Sequence, residues 1–199
     1  MGRDLAKRLF DVAASLVGLV VLSPGMVIIA IAIVVDSGLP VFFTQERVGL
    51  GGRPFRMHKF RSMRPGPGLQ ITAGGDPRIT RVGAFLRRTK LDEMPQLWDI
   101  LLGKMSFVGP RPEVPDMFAR YPAESRDRIV SVRPGITDLA TFEFRHEEDL
   151  LAGAADPEKT YIEDIVPRKV ALYLAYLEQR SFWLDLKIIG RTITALFRD

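Results

Sequence analysis

Residues 89–98, TKLDEMPQLW, set two carboxylates side by side: Asp92 and Glu93, just ahead of Met94-Pro95 and an apolar run. Vicinal acids suit two kinds of chemistry. One carboxylate can attack as a nucleophile, and another can hold a hard divalent cation such as Mg²⁺. They also suit a plain helix start. Proline is tolerated only in the first turn of a helix, which sets Asp92 close to the N-cap. Leu97, Trp98, Leu101 and Leu102 then face inward and Gly103 is the stop. Glu in a first turn is stabilised by the helix dipole, so this stretch alone leaves both readings open.

The neighbouring motifs favour chemistry. MSFVGPRPE holds Arg111 between Pro110 and Pro112, and SVRPGIT holds Arg133 against Pro134-Gly135. Proline fixes φ, so each arginine projects from pre-ordered backbone, and its planar fork matches two phosphate oxygens. In PFRMHKFRSM, alternation along a strand puts Met57, Lys59 and Arg61 on one face, where Lys59 and Arg61 can grip one anion. Two such arginine turns, a basic strand and a carboxylate pair form a set suited to phosphoryl transfer.

Several elements must position these groups. Residues 40–63 read as two strands around Gly51-Gly52. Residues 64–79, RPGPGLQITAGGDPRI, form a long Gly/Pro-rich loop of the kind that acts as a lid or binding loop or else is disordered. It matches neither a P-loop nor a dinucleotide-binding fingerprint. A helical stretch, ITRVGAFLRRTKL, follows and brings Arg87 and Arg88 up to the acidic pair.

The N-terminal segment carries no charge from Val12 to Val35. As a helix it runs roughly 36 Å, enough for a bilayer core of about 30 Å. Ser23-Pro24-Gly25 falls at its midpoint, where a bend is expected and the Ser23 hydroxyl can satisfy a freed backbone group. Cations flank both ends (Arg3, Lys7 and Arg8; then Arg47, Arg53, Arg56 and Lys59), and basic flanks prefer the cytoplasmic side. Both a re-entrant hairpin and a tilted, kinked span remain open on these grounds. At the other end, SFWLDLKIIGRTITALFRD alternates apolar residues with Lys187, Arg191 and Arg198. That pattern suits an interfacial amphipathic helix with a Trp anchor, or a helix packed on the core.

Composition narrows the classes. With 199 residues the chain suits one domain, alone or with an appended segment, and its net charge of +4 favours an anionic partner. It has no cysteine, which excludes disulfides, thiolate metal sites and a Cys nucleophile. His58 and His146 are the only histidines, and both read as plain hydrogen-bonding residues. The aromatic-basic interleaving of a nucleic-acid surface is missing.

Taken together, KRLFD before an apolar segment with central Ser-Pro, VFFTQERVGLGGRPFRMHKFRSM, LRRTKLDEMPQLWDILLGKMSFVGPRPE, VRPGIT and SFWLDLKII resemble the monotopic phosphoglycosyl transferases of bacteria, or bacterial sugar transferases. The likeness runs from about Lys7 to Thr194. It implies an α/β fold in which residues 1–38 form a re-entrant membrane helix kinked at Ser23-Pro24. Residues 39–199 would form a small cytoplasmic catalytic domain with interfacial amphipathic helices, held at the cytoplasmic face of the bacterial inner membrane. The implied reaction is ping-pong. Asp92 attacks the sugar-proximal phosphate of a UDP-sugar, UMP leaves, and the phosphosugar passes to a polyprenol phosphate such as undecaprenyl phosphate. This would be the first membrane step of exopolysaccharide or lipopolysaccharide assembly. Glu93 takes the Mg²⁺ role, and Lys59, Arg61, Arg87, Arg111, Arg133 and Arg145 are the implied phosphate and nucleotide contacts. Asp92, at a helix start amid arginines, is expected to stay ionised.

The chain departs from the common family pattern after RPGIT, where it reads DLATFEFRHEEDLL. Donor sugar and any auxiliary base are therefore open, with Asp138, Glu143 and Asp156 as alternatives. The resemblance leaves homodimerisation open and implies the minimal catalytic unit of larger relatives. Two rival functions are a non-catalytic membrane-anchored basic domain that binds anionic lipid, and a metal-dependent phosphohydrolase of a soluble nucleotide.

Overall fold

The computed structural model describes residues 2–66, 76–145 and 147–196. Most of the expected lid loop (67–75), together with His146, Phe197 and Arg198, lies outside the described residues.

Helix α1 (Gly2–Ser37) runs without interruption through Pro24. Proline leaves the Val20 carbonyl without its amide partner. Ser23 Oγ donates to that carbonyl at 2.8 Å, so the bend expected at Ser23-Pro24 does not break the helix. One narrow stripe of α1 is covered: Asp11, Ser15 and Ile33 are buried, and Gly18 packs on Leu97, where an added Cβ would lie 3.2 Å from Cδ1. The remaining surface is apolar and bare, including Val17, Val20, Val21, Val27, Ile28 and Val35.

After α1 comes a hairpin of β1 (Phe42–Val48) and β2 (Pro54–Phe60), antiparallel with Phe43 opposite Lys59. Helices α2 (Arg81–Thr89) and α3 (Gln96–Leu101) follow, joined by a tight 3-10 turn at Leu91–Glu93. Strand β3 (Ser106–Val108) leads to α4 (Pro115–Phe118) and α5 (Ala123–Ile129), and β4 (Gly135–Thr137) returns parallel to β3. Short helices α6 (Ala140–Glu143), α7 (Glu147–Ala152) and α8 (Pro157–Thr160) precede α9 (Val166–Gln179) and α10 (Phe182–Leu196).

The core is divided. Met57, Leu97, Ile100 and Met105 pack with Leu19 of α1, and Ile33, Phe60 and Leu86 pack with Met26 and Ile29. The hairpin, α2 and α3 thereby rest along α1. A separate cluster, including Tyr121, Phe144, Tyr161 and Tyr173, holds the C-terminal helices together. The amphipathic pattern at the C-terminus forms a helix that packs on the core along one face. Within α10, Ile188 is buried on Val108 and Tyr176, whereas Trp183 is 77% exposed.

Both ends of α1 are bonded to the globular part. Near its start, Lys7 Nζ pairs with Asp185 of α10 at 2.6 Å, and the Arg8 guanidinium donates to the Ile100 and Leu101 carbonyls at 2.7 and 2.9 Å. At its end, Asp36 accepts from the Val82 amide at 3.1 Å, and Arg61 donates to Ser37 Oγ and the Gly38 carbonyl.

Candidate active site

Asp92 and Glu93 lie in the 3-10 turn between α2 and α3, entered through Lys90 with φ 58°. The N-cap position of α3 is Pro95 itself. Asp92 therefore stands in the turn before the helix rather than near its cap. The outcome for α3 is mixed. Leu97 and Ile100 are buried and Gly103 ends the helix with φ 79°, but Trp98 and Leu102 face outward.

The two carboxylates are treated differently. Glu93 Oε1 accepts from Lys59 Nζ at 2.9 Å and from Arg111. Burial alone would raise its pKa, but Arg111 and then Lys59 outweigh burial and hold it well below the usual carboxylate range. Glu93 in turn keeps Arg111 firmly protonated. Asp92 is 5% exposed. Its Oδ2 lies 3.9 Å from Lys59 Nζ, and its buried Oδ1 has no hydrogen-bond partner among the described residues. Burial raises the Asp92 pKa; Lys59 opposes this, and the neighbouring Glu93 charge adds to it. The cations were expected to favour the ionised form of Asp92; at Asp92 burial outweighs them, whereas at Glu93 they outweigh burial.

Local packing explains how the cations arrive. Lys59 sits one residue before the end of β2, which Met57 and Phe60 anchor in the core. Arg87 is carried on α2, where a Cβ on Gly83 would fall 1.9 Å from the Ser62 carbonyl oxygen. Glycine there lets helix and strand exit meet closely. Arg87 acts electrostatically on Asp92 and contacts Met63 Sδ at 3.5 Å. Arg111 follows β3, where a Cβ on Gly135 would lie 2.2 Å from the Gly109 nitrogen. The glycines of the VGPRPE and RPGIT motifs therefore meet backbone to backbone and fix the turn that aims Arg111.

Three of the expected phosphate contacts go elsewhere. Arg61 lies just past β2, is buried, and is taken up by the end of α1, so it does not share an anion with Lys59. Arg133 donates through Nε to the Gly103 carbonyl at 2.9 Å, and Arg145 donates to the Ala195 carbonyl near the end of α10. Of the alternative acids, Glu143 pairs with Arg168, and Asp156 caps α8 by accepting from the Lys159 amide. Asp138 is buried; its Oδ1 is held by Thr141 and its Oδ2 has no hydrogen-bond partner among the described residues. His58 is the hydrogen-bonding residue expected, tied through its amide and Nδ1 to the buried Asp99.

Sequence reasoning passed over the support of the Arg111 turn. Glu113 accepts from Arg47 at 3.2 Å and from Tyr161 at 2.6 Å, joining β1 to the segment before α9. Its presence directly after the Pro-Arg-Pro turn was the signal available.

Fold and site define a mixed helix–sheet domain with a long apolar helix and a carboxylate pair suited to phosphoryl chemistry. Residues 2–199 match the model of the bacterial sugar transferase family, and the chain belongs to that family. It is 39% identical over 95% of its length to an undecaprenyl-phosphate glucose phosphotransferase of Komagataeibacter xylinus. It is 36% identical over 97% to a UDP-glucose:undecaprenyl-phosphate glucose-1-phosphate transferase of Caulobacter vibrioides. It is also 37% identical over 96% to a UDP-N-acetylgalactosamine-undecaprenyl-phosphate N-acetylgalactosaminephosphotransferase of Aeromonas hydrophila. The aligned region makes up 35%, 70% and 43% of these three proteins, so the chain spans well under half the length of two of them.

Proposed function

We propose that this chain transfers a sugar 1-phosphate from a UDP-sugar to a polyprenol phosphate at a membrane surface, through a covalent intermediate on Asp92. One observation carries the assignment. Of two adjacent carboxylates, Glu93 is neutralised by Lys59 and Arg111, while Asp92 keeps an oxygen committed to no other group. The uncommitted oxygen is the nucleophile and the paired acid is scaffold.

An Asp92 oxygen attacks the sugar-proximal phosphorus. The bond from that phosphorus to the bridging oxygen breaks, and UMP leaves with the electron pair. A polyprenol phosphate oxygen then attacks the same phosphorus and frees the carboxylate. Because Oδ1 is covered, donor binding has to part the contacts over it. Lys59 and Arg111 are partly exposed and adjacent, placed to bind non-bridging phosphate oxygens as charge builds.

Mg²⁺ fits this residue set. It commonly binds one or two carboxylates and completes its shell with substrate phosphates and water. Glu93 would hold it through the oxygen that the cations leave unused, with Asp92 alongside. The bound ion would neutralise diphosphate charge.

The attachment of α1 supports a one-sided placement. A straight helix of 36 residues is about 54 Å long, well beyond a bilayer core. A crossing would put Lys7 and Asp36 on opposite faces, yet the same domain binds both. The bare apolar surface of α1, continued by Trp98, Leu102 and Trp183, suits insertion from one face by a re-entrant or surface-embedded helix.

The test uses detergent-solubilised full chain, Mg²⁺, a panel of UDP-sugars and undecaprenyl phosphate, with UMP release and peptide mass spectrometry as readouts. Donor alone should leave a phosphosugar adduct on the Asp92 peptide. Asp92→Asn should lose the adduct and reduce turnover by about 10⁴-fold or more. Normal turnover without any adduct would overturn the covalent route, and UMP released in excess of one per enzyme without lipid acceptor would point to a hydrolase. The sugar is left to the panel, since the relatives' names include both glucose and N-acetylgalactosamine.

A further inference from the structure

A cavity of about 220 Å³ lies between the start of α1, the start of α10 and β3. Its lining includes Arg8, Arg133, Ser106 and Asp185 but none of Lys59, Asp92, Glu93 or Arg111. At roughly 30 Å³ per water, it has room for a phosphate group with part of its substituent.

Four cations face three carboxylates in this cavity. Lys7 is matched with Asp185, Arg180 faces Asp4 at 3.6 Å, and Asp11 lies within the influence of Lys7 and Arg8. Arg133 has no carboxylate partner among the described residues; its contact is the Gly103 carbonyl. Arg8 closes on the same point, since a Cβ on Gly103 would lie 3.2 Å from Arg8 Nη2. Two guanidiniums thus meet at the end of α3, Arg8 on the Ile100 and Leu101 carbonyls and Arg133 on that of Gly103, and the Nη groups of Arg133 are left over for an anion. Ser106 Oγ adds a buried hydroxyl that neighbours the Asp11 carboxylate and makes no close hydrogen bond among the described residues. A half-buried guanidinium with donors to spare and a buried hydroxyl in one cavity give an anion polar groups to meet.

We propose that this cavity is a second anion site, separate from the Asp92–Glu93 pair, that takes a phosphate group as a phospholipid headgroup or as free phosphate. The rim favours the lipid source. Leu5 and Leu9 of α1 are more than 60% exposed, and Trp183 stands beside the lining residue Phe182. Acyl chains leaving the cavity would meet apolar surface. The lipid arm rests on the membrane placement proposed above. Neither readout below involves sugar transfer, so this site and the transferase activity can fail independently.

The test compares wild type, Arg133→Gln, Arg133→Lys and Ser106→Ala as full chains. In phosphatidylcholine nanodiscs with and without phosphatidylglycerol, native mass spectrometry reads the lipid retained. In detergent, thermal melting is read with inorganic phosphate against chloride at matched ionic strength. Wild type should retain phosphatidylglycerol over phosphatidylcholine by about tenfold, a preference that Arg133→Gln loses and Arg133→Lys partly keeps. A phosphate-dependent rise in Tm without lipid preference would assign the site to free phosphate. Ser106→Ala removes one small hydroxyl whose neighbour is the Asp11 carboxylate, so its Tm should change little while binding falls, which keeps the test decisive if Arg133→Gln fails to fold. Equal retention of both lipids with no phosphate response overturns the proposal. So does unchanged binding in Ser106→Ala or in a folded Arg133→Gln.

Discussion

At the scale of single residues, the two carboxylates should separate in a pH experiment. Glu93 has a pKa well below its ordinary 4.5, so its stabilisation is fully present above that value and is lost as pH falls below it. Asp92 runs the other way. Its raised pKa favours the fold below the ordinary 3.8, a contribution lost as pH rises through the folded value. Glu93→Gln should cost about 2–3 kcal/mol at neutral pH. This is low for a broken buried pair, because Arg111 is partly solvated. The cost should shrink in acid, and chemical denaturation at pH 7 and pH 4 checks it. On the proposed covalent route only ionised Asp92 attacks, so the acid limb of kcat/KM should lie above 3.8. Lys59→Met should move that limb higher, because Lys59 is the main charge opposing burial. A limb unmoved by that change would remove Lys59 from the activation of Asp92. The pair itself was legible in the sequence because carboxylates beside Pro-locked arginines have few other uses. The destinations of the cations were not. Arg61, Arg133 and Arg145 have the same chemistry as Lys59 and Arg111, but tertiary packing sends them to backbone carbonyls.

At the scale of elements, the site depends on two close backbone approaches that side-chain patterns do not reveal. The hairpin was readable from alternation around Gly51-Gly52, and α2 from its apolar spacing. The three-residue strands β3 and β4 are too short to show a period. Their pairing rests on Gly109 and Gly135, which sequence reading treats as turn residues. Any side chain at Gly135 must push the strands apart. Gly135→Ala should therefore lower stability by several kcal/mol and, where some protein still folds, raise KM for the UDP-sugar through a displaced Arg111. Thermal melting and steady-state kinetics test both parts, and a variant with native Tm would contradict the close approach. The misreading of Trp98 has a similar source. A helical pattern records apolar spacing, and on α3 it misleads because the buried face takes the polar Gln96 and Asp99 with Leu97 and Ile100, leaving Trp98 and Leu102 outside.

At the scale of the whole molecule, the decisive feature is that one domain grips α1 at both ends. Lys7, Arg8 and Asp11 bind α10, α3 and β3, while Asp36, Ser37 and Gly38 bind α2 and Arg61. Moving either end across a bilayer would break ion pairs and expose the carbonyls they satisfy, and would carry charged groups through hydrocarbon. The sequence showed a segment long enough to cross and a proline at its centre, but the contacts that tie both of its ends to one domain appear only in tertiary packing. The chain contains no cysteine, so single introduced thiols report topology without background. In intact spheroplasts, Asp4→Cys and Ser37→Cys should both resist a membrane-impermeant maleimide and both react once the inner membrane is opened. Leu22→Cys, on the bare apolar surface beside Ser23-Pro24, should remain protected in either case until detergent is added. Labelling of Asp4→Cys from the periplasm would mean that α1 crosses the bilayer, and that the Lys7–Asp185 and Arg8 contacts do not form in the membrane.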